Sequence, residues 1–272
     1  MNLDSLSFLR PLFAFSGLFL FWLIGIIAPF RRSTQFQNTK RLAANLALTF
    51  GNGILVKILF PLSLIQLAGT SQWNVISIQS LPQPFGFLLS LVFLDFMIYW
   101  QHRLTHKIPI LWRLHRVHHT DTEIDATSAG RFHTLEILLS FTLKAFVVVT
   151  MGLTPLAIFI FEIILNFSAS FNHGNFALPK KIENGLRLLI ITPDLHRIHH
   201  SAKEDETNSN YGFSISLWDR VFGSYRDQPI ETPNKMLIGL NEFRTAEDQS
   251  LAALIAQPWQ NPEVKPKERN HS

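Results

Sequence analysis

Ten of the eleven histidines fall between His102 and His200, and their spacing is helical. His102 and His106 stand four residues apart. The segment HRVHH places His115, His118 and His119 at i, i+3, i+4, and HRIHH repeats that spacing with His196, His199 and His200. On a helix, residues three and four apart are neighbours, so each set can present its imidazoles to one point. Imidazole suits iron, zinc, copper and nickel, and one ion takes roughly four to six ligands. Eight aligned imidazoles therefore imply two ions, or one ion with considerable redundancy, and two is the better reading. A lone HxxxH pair is ordinarily only a packed or solvated pair; two HxxHH triplets added to it are a far more specific pattern. Arg103 follows His102 where a zinc protease of the HExxH type needs its glutamate, so metal-assisted peptide hydrolysis loses its general base. There is no cysteine, which excludes thiolate metal sites, iron–sulfur clusters and disulfides.

These histidines must be held by elements embedded in lipid. The composition is 47% hydrophobic and only 16% charged, with 24 phenylalanines. Phe8 to Phe30 would span about 34 Å as a helix at about 1.5 Å per residue, enough to cross a bilayer. Met1 to Ser7 carries Asp4, no basic start and no small-residue cleavage site ahead, which predicts a retained anchor. Leu42 to Ala68 is a second run. Phe85 to Tyr99 is a third and passes straight into Trp100, Gln101 and His102. Ile137 to Met151 and Pro155 to Phe171 are shorter, joined by Gly152 to Thr154, and read as a hairpin that could be re-entrant. None alternates like a barrel strand, and backbone in lipid must satisfy its own hydrogen bonds, so the runs are helices.

Charge orients the runs. Arg31, Arg32, Lys40 and Arg41 lie between runs one and two, whereas Thr70 to Pro84 carries no charge. The positive-inside rule then makes the first loop cytoplasmic and brings every histidine-rich segment, with the C-terminus, to the same face. The net charge of +4 follows the apolar runs and forms no nucleic-acid motif. The expected fold is all-α and integral to the membrane. Four to five membrane helices or hairpin segments would carry a cytoplasmic, histidine-rich cap with two metals.

Three stretches carry a resemblance: DFMIYWQHRLTHKIPILWRLHRVHHTDTEIDATSAGRFHTLEILL, then FNHGN, then TPDLHRIHHSAKEDETNSNYGFSISLWDRVFGSY. In this order they resemble the fatty acid hydroxylase/sterol desaturase superfamily, over residues 85–228, and bacterial members described only as sterol desaturase family proteins. The resemblance implies a di-iron centre that activates O2 against an unactivated C–H bond of a lipid, by hydroxylation or desaturation. His102, His106, His115, His118, His119, His196, His199 and His200 fill its motif positions, and His173 of FNHGN fills the usual additional one. His133 stands where many members have HPLE, but here Thr134 follows it. Some ceramide-type members place a tenth histidine where this chain has Ala169. His133 is the candidate tenth ligand, or else it bonds Glu136 or caps a helix.

The resemblance marks a catalytic domain over 85–228; the apolar runs before it make 1–84 a two-helix anchor, and the polar stretch with Pro229, Pro233, Pro258, Pro262 and Pro266 makes 229–272 a soluble, partly disordered tail. The expected setting is a bacterial inner membrane. No reductase or haem motif is visible, so electrons would come from a separate reductase, cytochrome or ferredoxin. A histidine-rich metal transporter is the rival from another class, but its ligands would line a membrane path instead of gathering on one face.

A metal-bound imidazole usually gives its other N–H to a carboxylate or carbonyl, which makes nearby acids candidates for orienting the ligands. Asp95 lies seven residues before His102 within a membrane run, where a charge needs a partner; interhelical bonding is its alternative role. Glu136 and Asp219 flank the boxes. Asp194 follows Thr192-Pro193 and either supports a ligand or stabilises a helix start. Asn208, Asn210 and WDRVFG offer substrate contact or packing. Lys144 and Glu162 lie equally far from the hairpin turn, which predicts that they pair at depth.

Overall fold

The computed structural model describes residues 3–31, 39–70 and 73–261. Among them the regular structure is helical, with two isolated β-bridges, Ile190 to Ile215 and Ser201 to Ile238. α1 (Leu3–Ile27) and α2 (Thr39–Leu59) form the anchor. Pro61 stops the second run, and α3 (Leu64–Thr70) starts afresh from a capping box. In it Ser63 Oγ accepts the Gln66 N–H at 3.2 Å, while Gln66 Oε1 accepts the Ser63 N–H at 2.9 Å. α4 (Gln83–Lys107) runs unbroken from the apolar stretch through His102 and His106. Pro109 cannot continue it, so the chain turns at Ile108 into α5 (Pro109–His119). α6 (Thr134–Met151) and α7 (Pro155–Asn172) follow, then the short α8 (Lys180–Leu186), α9 (Pro193–His199), α10 (Glu204–Thr207), α11 (Leu217–Val221) and α12 (Leu251–Ala256).

Five stretches are long and apolar enough to cross a membrane: Ser5–Ile27, Thr39–Thr70, Gln83–Lys107, Thr134–Met151 and Pro155–Asn172. Large apolar side chains such as Phe8, Phe19, Ile54, Leu88 and Phe146 point outward from them. In water such a surface would drive association, and a bilayer removes that penalty. Contacts between distant segments define two ends. At one, Phe30 N donates to Asn175 O at 3.0 Å and Asn175 Nδ2 donates to Arg31 O at 3.0 Å, so the exit of α1 meets the FNHGN loop. At the other, Val75 N donates to Thr150 O at 2.8 Å, and Gln79 N donates to Gly152 O at 2.9 Å beside the turn between α6 and α7. All the histidine-bearing segments gather at the first end.

The last two spans turn at Gly152 to Thr154 as expected, but their arms make little contact with each other. Gly152 turns the chain in the left-handed region at φ 59, which glycine adopts freely. The arms then splay, α6 against α2 and α3, and α7 along α1 and against α3 and α4. Glu162 therefore faces Arg10 of α1, whose Nη1 donates to its Oε1 at 2.8 Å. The direct ion pair of Glu162 is with Arg10, while Lys144, expected as its partner, interacts electrostatically with both, so the three charges form one cluster.

The cap is locked to the anchor by a polar network. Arg41, at the start of α2, reaches Asp121 at 2.5 Å and Asp125 at 2.8 Å, and Asn45 donates to Asp121 Oδ2 at 3.1 Å. Burial alone would raise the Asp121 carboxyl, but the Arg41 and Arg131 guanidiniums hold it down at about 2. Arg41, expected to mark topology as a free charge, is thus consumed in a buried ion pair. After Tyr225 the chain does not leave the body. It returns over the cap until α12 buries Leu254 against Ala44, Leu48 and Val117. The last stretch, 262–272, expected to be disordered, lies outside the described residues.

Candidate metal centre

Nine histidines converge at the cap end in two groups, within each of which one nitrogen per ring lies within 4.8 Å of the others. His102, His106, His115, His119 and His199 form the first, and His118, His173, His196 and His200 form the second. Each HxxHH triplet is split between them. α5 sends its i, i+4 pair, His115 and His119, to the first group and its middle His118 to the second. α9 and its C-terminal residue do the reverse, sending His196 and His200 to the second group and His199 to the first. At about 3.6 residues per turn, i and i+4 differ by about 40° around the axis, whereas i+3 and i+4 are about 100° apart. The i, i+4 pair can share one point; the i+3 residue must look to another.

Several imidazoles are pinned through Nδ1, which leaves Nε2 for the centre. His102 Nδ1 faces Tyr211 O at 2.8 Å, His199 Nδ1 faces Ser209 O at 2.8 Å, and His173 Nδ1 faces Ala169 O at 2.7 Å. His115 Nδ1 meets Glu136 Oε1 at 2.6 Å. The Nε2 atoms then crowd together: His102 to His115 at 3.1 Å, His199 to His102 at 3.1 Å, His196 to His173 at 3.1 Å, and His200 to His196 at 3.2 Å. With Nδ1 bearing the proton, facing Nε2 lone pairs repel unless something positive lies between them. Two nitrogens bound at about 2.1 Å to one ion at right angles stand about 3.0 Å apart, close to these separations. Both ring nitrogens of His106 and His119 are buried without a hydrogen-bond partner, as is Nδ1 of His118 and His196. Buried nitrogens of this kind are costly unless a ligand satisfies them. The donor set fits two cations that accept nitrogen ligands.

Burial reinforces the fit. Loss of water, with the neighbouring imidazoles adding to it, holds His118, His119, His196 and His200 well below the ordinary imidazole range. Burial likewise brings His173 down to about 4 and His199 to about 3, against the carbonyl bond each makes at Nδ1. Neutral imidazole is the form that binds metal. Phe132 stacks on His118 with ring centroids 4.4 Å apart and walls the second group.

His133 is not among the nine, which corrects the expectation of a tenth ligand. It caps α6: its Nδ1 accepts the Leu135 N–H at 3.2 Å, its Nε2 faces Ile255 O at 3.3 Å, and its ring lies against Trp259. A neutral imidazole has one acceptor nitrogen. Nδ1 uses it here, so Nε2 carries the proton and has no lone pair for a metal.

The four acids part ways as well. Glu136 touches a group member directly, through His115. Asp219 acts at one remove: it accepts the Tyr211 and Gly212 N–H groups, each at 2.7 Å, and so sets the Tyr211 carbonyl that takes His102 Nδ1. Asp95 contacts none of the histidines; it accepts the Trp218 indole N–H at 2.9 Å, tying the C-terminal part of the cap to α4. Asp194 is 2.5 Å from Arg197 in the first turn of α9, while Thr192 caps that helix. WDRVFG packs: Trp218 lies 5.1 Å from Phe96 and Phe222 lies 5.5 Å from Tyr99. Asn210 bonds the Leu195 and Arg226 carbonyls, another packing role. The carbonyls of Ala169, Ser209 and Tyr211 were invisible to sequence reading, since every residue carries one and only the fold selects which is used.

These features define a class: a helical membrane protein whose cap buries two adjacent, all-imidazole donor groups. The chain belongs to the fatty acid hydroxylase family, whose model matches residues 87–224. Among its relatives is ornithine lipid hydroxylase OlsE of Rhizobium tropici, 32% identical over 179 residues, covering 65% of this chain and 51% of that protein. Human alkylglycerol monooxygenase is 27% identical over 183 residues, covering 65% and 39%. Delta(7)-sterol 5(6)-desaturase erg3B of Aspergillus fumigatus is 32% identical over 141 residues, covering 51% and 38%. The matched stretch thus spans about half of these relatives' length, or less. No solved structure matches the chain.

Proposed function

We propose that this chain is a membrane-bound di-iron oxygenase that oxidises a C–H bond of a lipid, with a separate protein supplying electrons. The observation that carries the reading is the division of nine buried histidines into a group of five and a group of four. His102, His106, His115, His119 and His199 would hold one ion, and His118, His173, His196 and His200 the other. When bound, the iron pair supplies the redox chemistry: R–H, O2, two electrons and two protons give R–OH and water, or, at adjacent carbons, an alkene and two waters. The protein's own part is to orient and to seal. Glu136 and the Tyr211, Ser209 and Ala169 carbonyls fix ring orientation and tautomer through Nδ1. Phe132 and the returning C-terminal segment keep water from the buried side of the groups.

The names of the relatives, an ornithine lipid hydroxylase, an alkylglycerol monooxygenase and a sterol desaturase, support a lipid substrate and leave both outcomes within reach of one centre. The setting proposed is a bacterial inner membrane with the cap in the cytoplasm; exposed Lys40, Lys107, Lys180 and Lys181 at the cap end support this under the positive-inside rule. The test is metal analysis after iron-replete expression, with lipid profiling of host cells. Two ions per chain and an O2-dependent lipid gaining one oxygen, or losing two hydrogens, are expected. His106→Ala, His119→Ala and His200→Ala should each abolish product while the fold is kept. Reproducibly one ion or none, or product retained in all three variants, overturns the reading.

A further inference from the structure

A cavity of about 350 Å³ opens on the cap against the first histidine group. Its wall includes His106, Trp112 and Arg116 of the α4–α5 corner, together with Glu204 and Asn208 near α10 and Glu242 of the segment before α12. The size falls in the range of small-ligand sites, about 300 to 1,000 Å³. Its lining combines one guanidinium with two carboxylates. Arg116 is only 7% exposed. Its Nη2 donates to the Gln257 and Gln260 carbonyls, but its Nε is buried with no partner. Glu204 is exposed and Glu242 half-buried, so the negative groups sit nearer solvent than the positive one. Ile108 and Ile110 are exposed on the same corner.

Resting on the reading of the chain as a lipid oxygenase, we propose that this cavity binds the zwitterionic headgroup of an aminolipid, its anionic group against Arg116 and its ammonium towards Glu204 and Glu242. Among the described residues no carboxylate lies in an ion pair with Arg116, whose bonds are to carbonyls, so an uncharged headgroup would leave this buried guanidinium without a paired counter-charge. A purely anionic headgroup would meet two carboxylates with one cation to offset them. A zwitterion answers both signs at once. The cavity touches His106, so a bound headgroup places the lipid beside the first group without entering the second.

The experiment is calorimetric titration of the full-length, metal-loaded protein in a maltoside detergent, with micelle blanks subtracted. The probes are dihexanoyl phosphatidylethanolamine and Nα-hexanoyl-lysine, which pair the ammonium with a phosphate and a carboxylate respectively, against dihexanoyl phosphatidic acid and dihexanoylglycerol. Saturable binding of either zwitterion, at least about tenfold tighter than both controls, is expected, and the tighter of the two identifies the anion. Glu204→Gln combined with Glu242→Gln should weaken zwitterion binding about tenfold or more and should tighten phosphatidic acid, a reversal that loss of packing cannot produce. Arg116→Gln should weaken the zwitterions, with its melting temperature checked because Arg116 also holds Gln257 and Gln260. Binding no tighter than the glycerol, tighter binding of phosphatidic acid, or selectivity unchanged in the double variant overturns the proposal. Because binding is read without turnover, selective binding to a protein that makes no oxidised lipid supports the headgroup site and faults only the oxygenase reading.

Discussion

Replacing Glu136 should loosen one metal ion and spare the other. Glu136 Oε1 lies 2.6 Å from His115 Nδ1, both side chains are buried, and Glu136 Oε2 has no other partner, so His115 is the carboxylate's single direct hydrogen bond. A hydrogen bond with a charged partner contributes about 1.5–3 kcal/mol, and each 1.36 kcal/mol is about tenfold in an equilibrium constant. The loss on removal is therefore about 10- to 100-fold in affinity at the first group, in line with what outer partners of metal-bound histidines usually contribute. Glu136→Gln keeps an acceptor oxygen and should fall near the tenfold end. Glu136→Ala leaves His115 Nδ1 buried and unpaired and should fall near the hundredfold end. The second group, His118, His173, His196 and His200, has no contact with Glu136 and should keep its ion. The assay is competition with a graded series of chelators, with residual metal counted per chain: the variant should pass through a plateau of one ion where the wild type still holds two. Simultaneous loss of both ions, or chelator curves identical to the wild type, would refute the assignment of Glu136 to His115 alone.

Three further outcomes are expected. His133→Ala should cost about 1 kcal/mol as a lost helix cap, read by melting temperature, with two ions retained; a fall to one ion would restore His133 as a ligand. Asp219→Asn sets an amide N–H against a backbone N–H it now accepts, so stability should drop by about 1–3 kcal/mol and metal should loosen at the first group through the Tyr211 carbonyl; unchanged metal affinity with lowered stability would reduce Asp219 to packing. In double-mutant cycles, Arg10→Met with Glu162→Gln should show coupling of about 1 kcal/mol, discounted because Arg10 is 36% exposed, and Lys144→Met with Glu162→Gln should also couple, since Lys144 interacts with the Glu162 charge; additivity in both cycles would mean the facing of α7 is wrong.

The division of labour between chain and fold can be followed through particular residues. Membrane spans and the convergence of His102 with His106 were legible, because apolar length and i, i+4 spacing are properties of a single local segment, whereas the breaks at Pro61 and before Pro109 were not read from the sequence. Nine of the ten candidate histidines meet at one end of the molecule for the same reason, since each box reads as one turn of helix ending at a membrane boundary. What only the tertiary structure decided is how those turns face one another. The splitting of each triplet between the two groups, the diversion of His133 to cap α6, the pairing of Glu162 with Arg10 and of Asp95 with Trp218, and the return of α12 over the cap all join residues on different elements. Spacing along the chain sets where a side chain stands on its own helix. Which neighbour it meets depends on how the helices are rotated and crossed, and that is set by packing the whole set of apolar faces at once, a quantity no single segment contains.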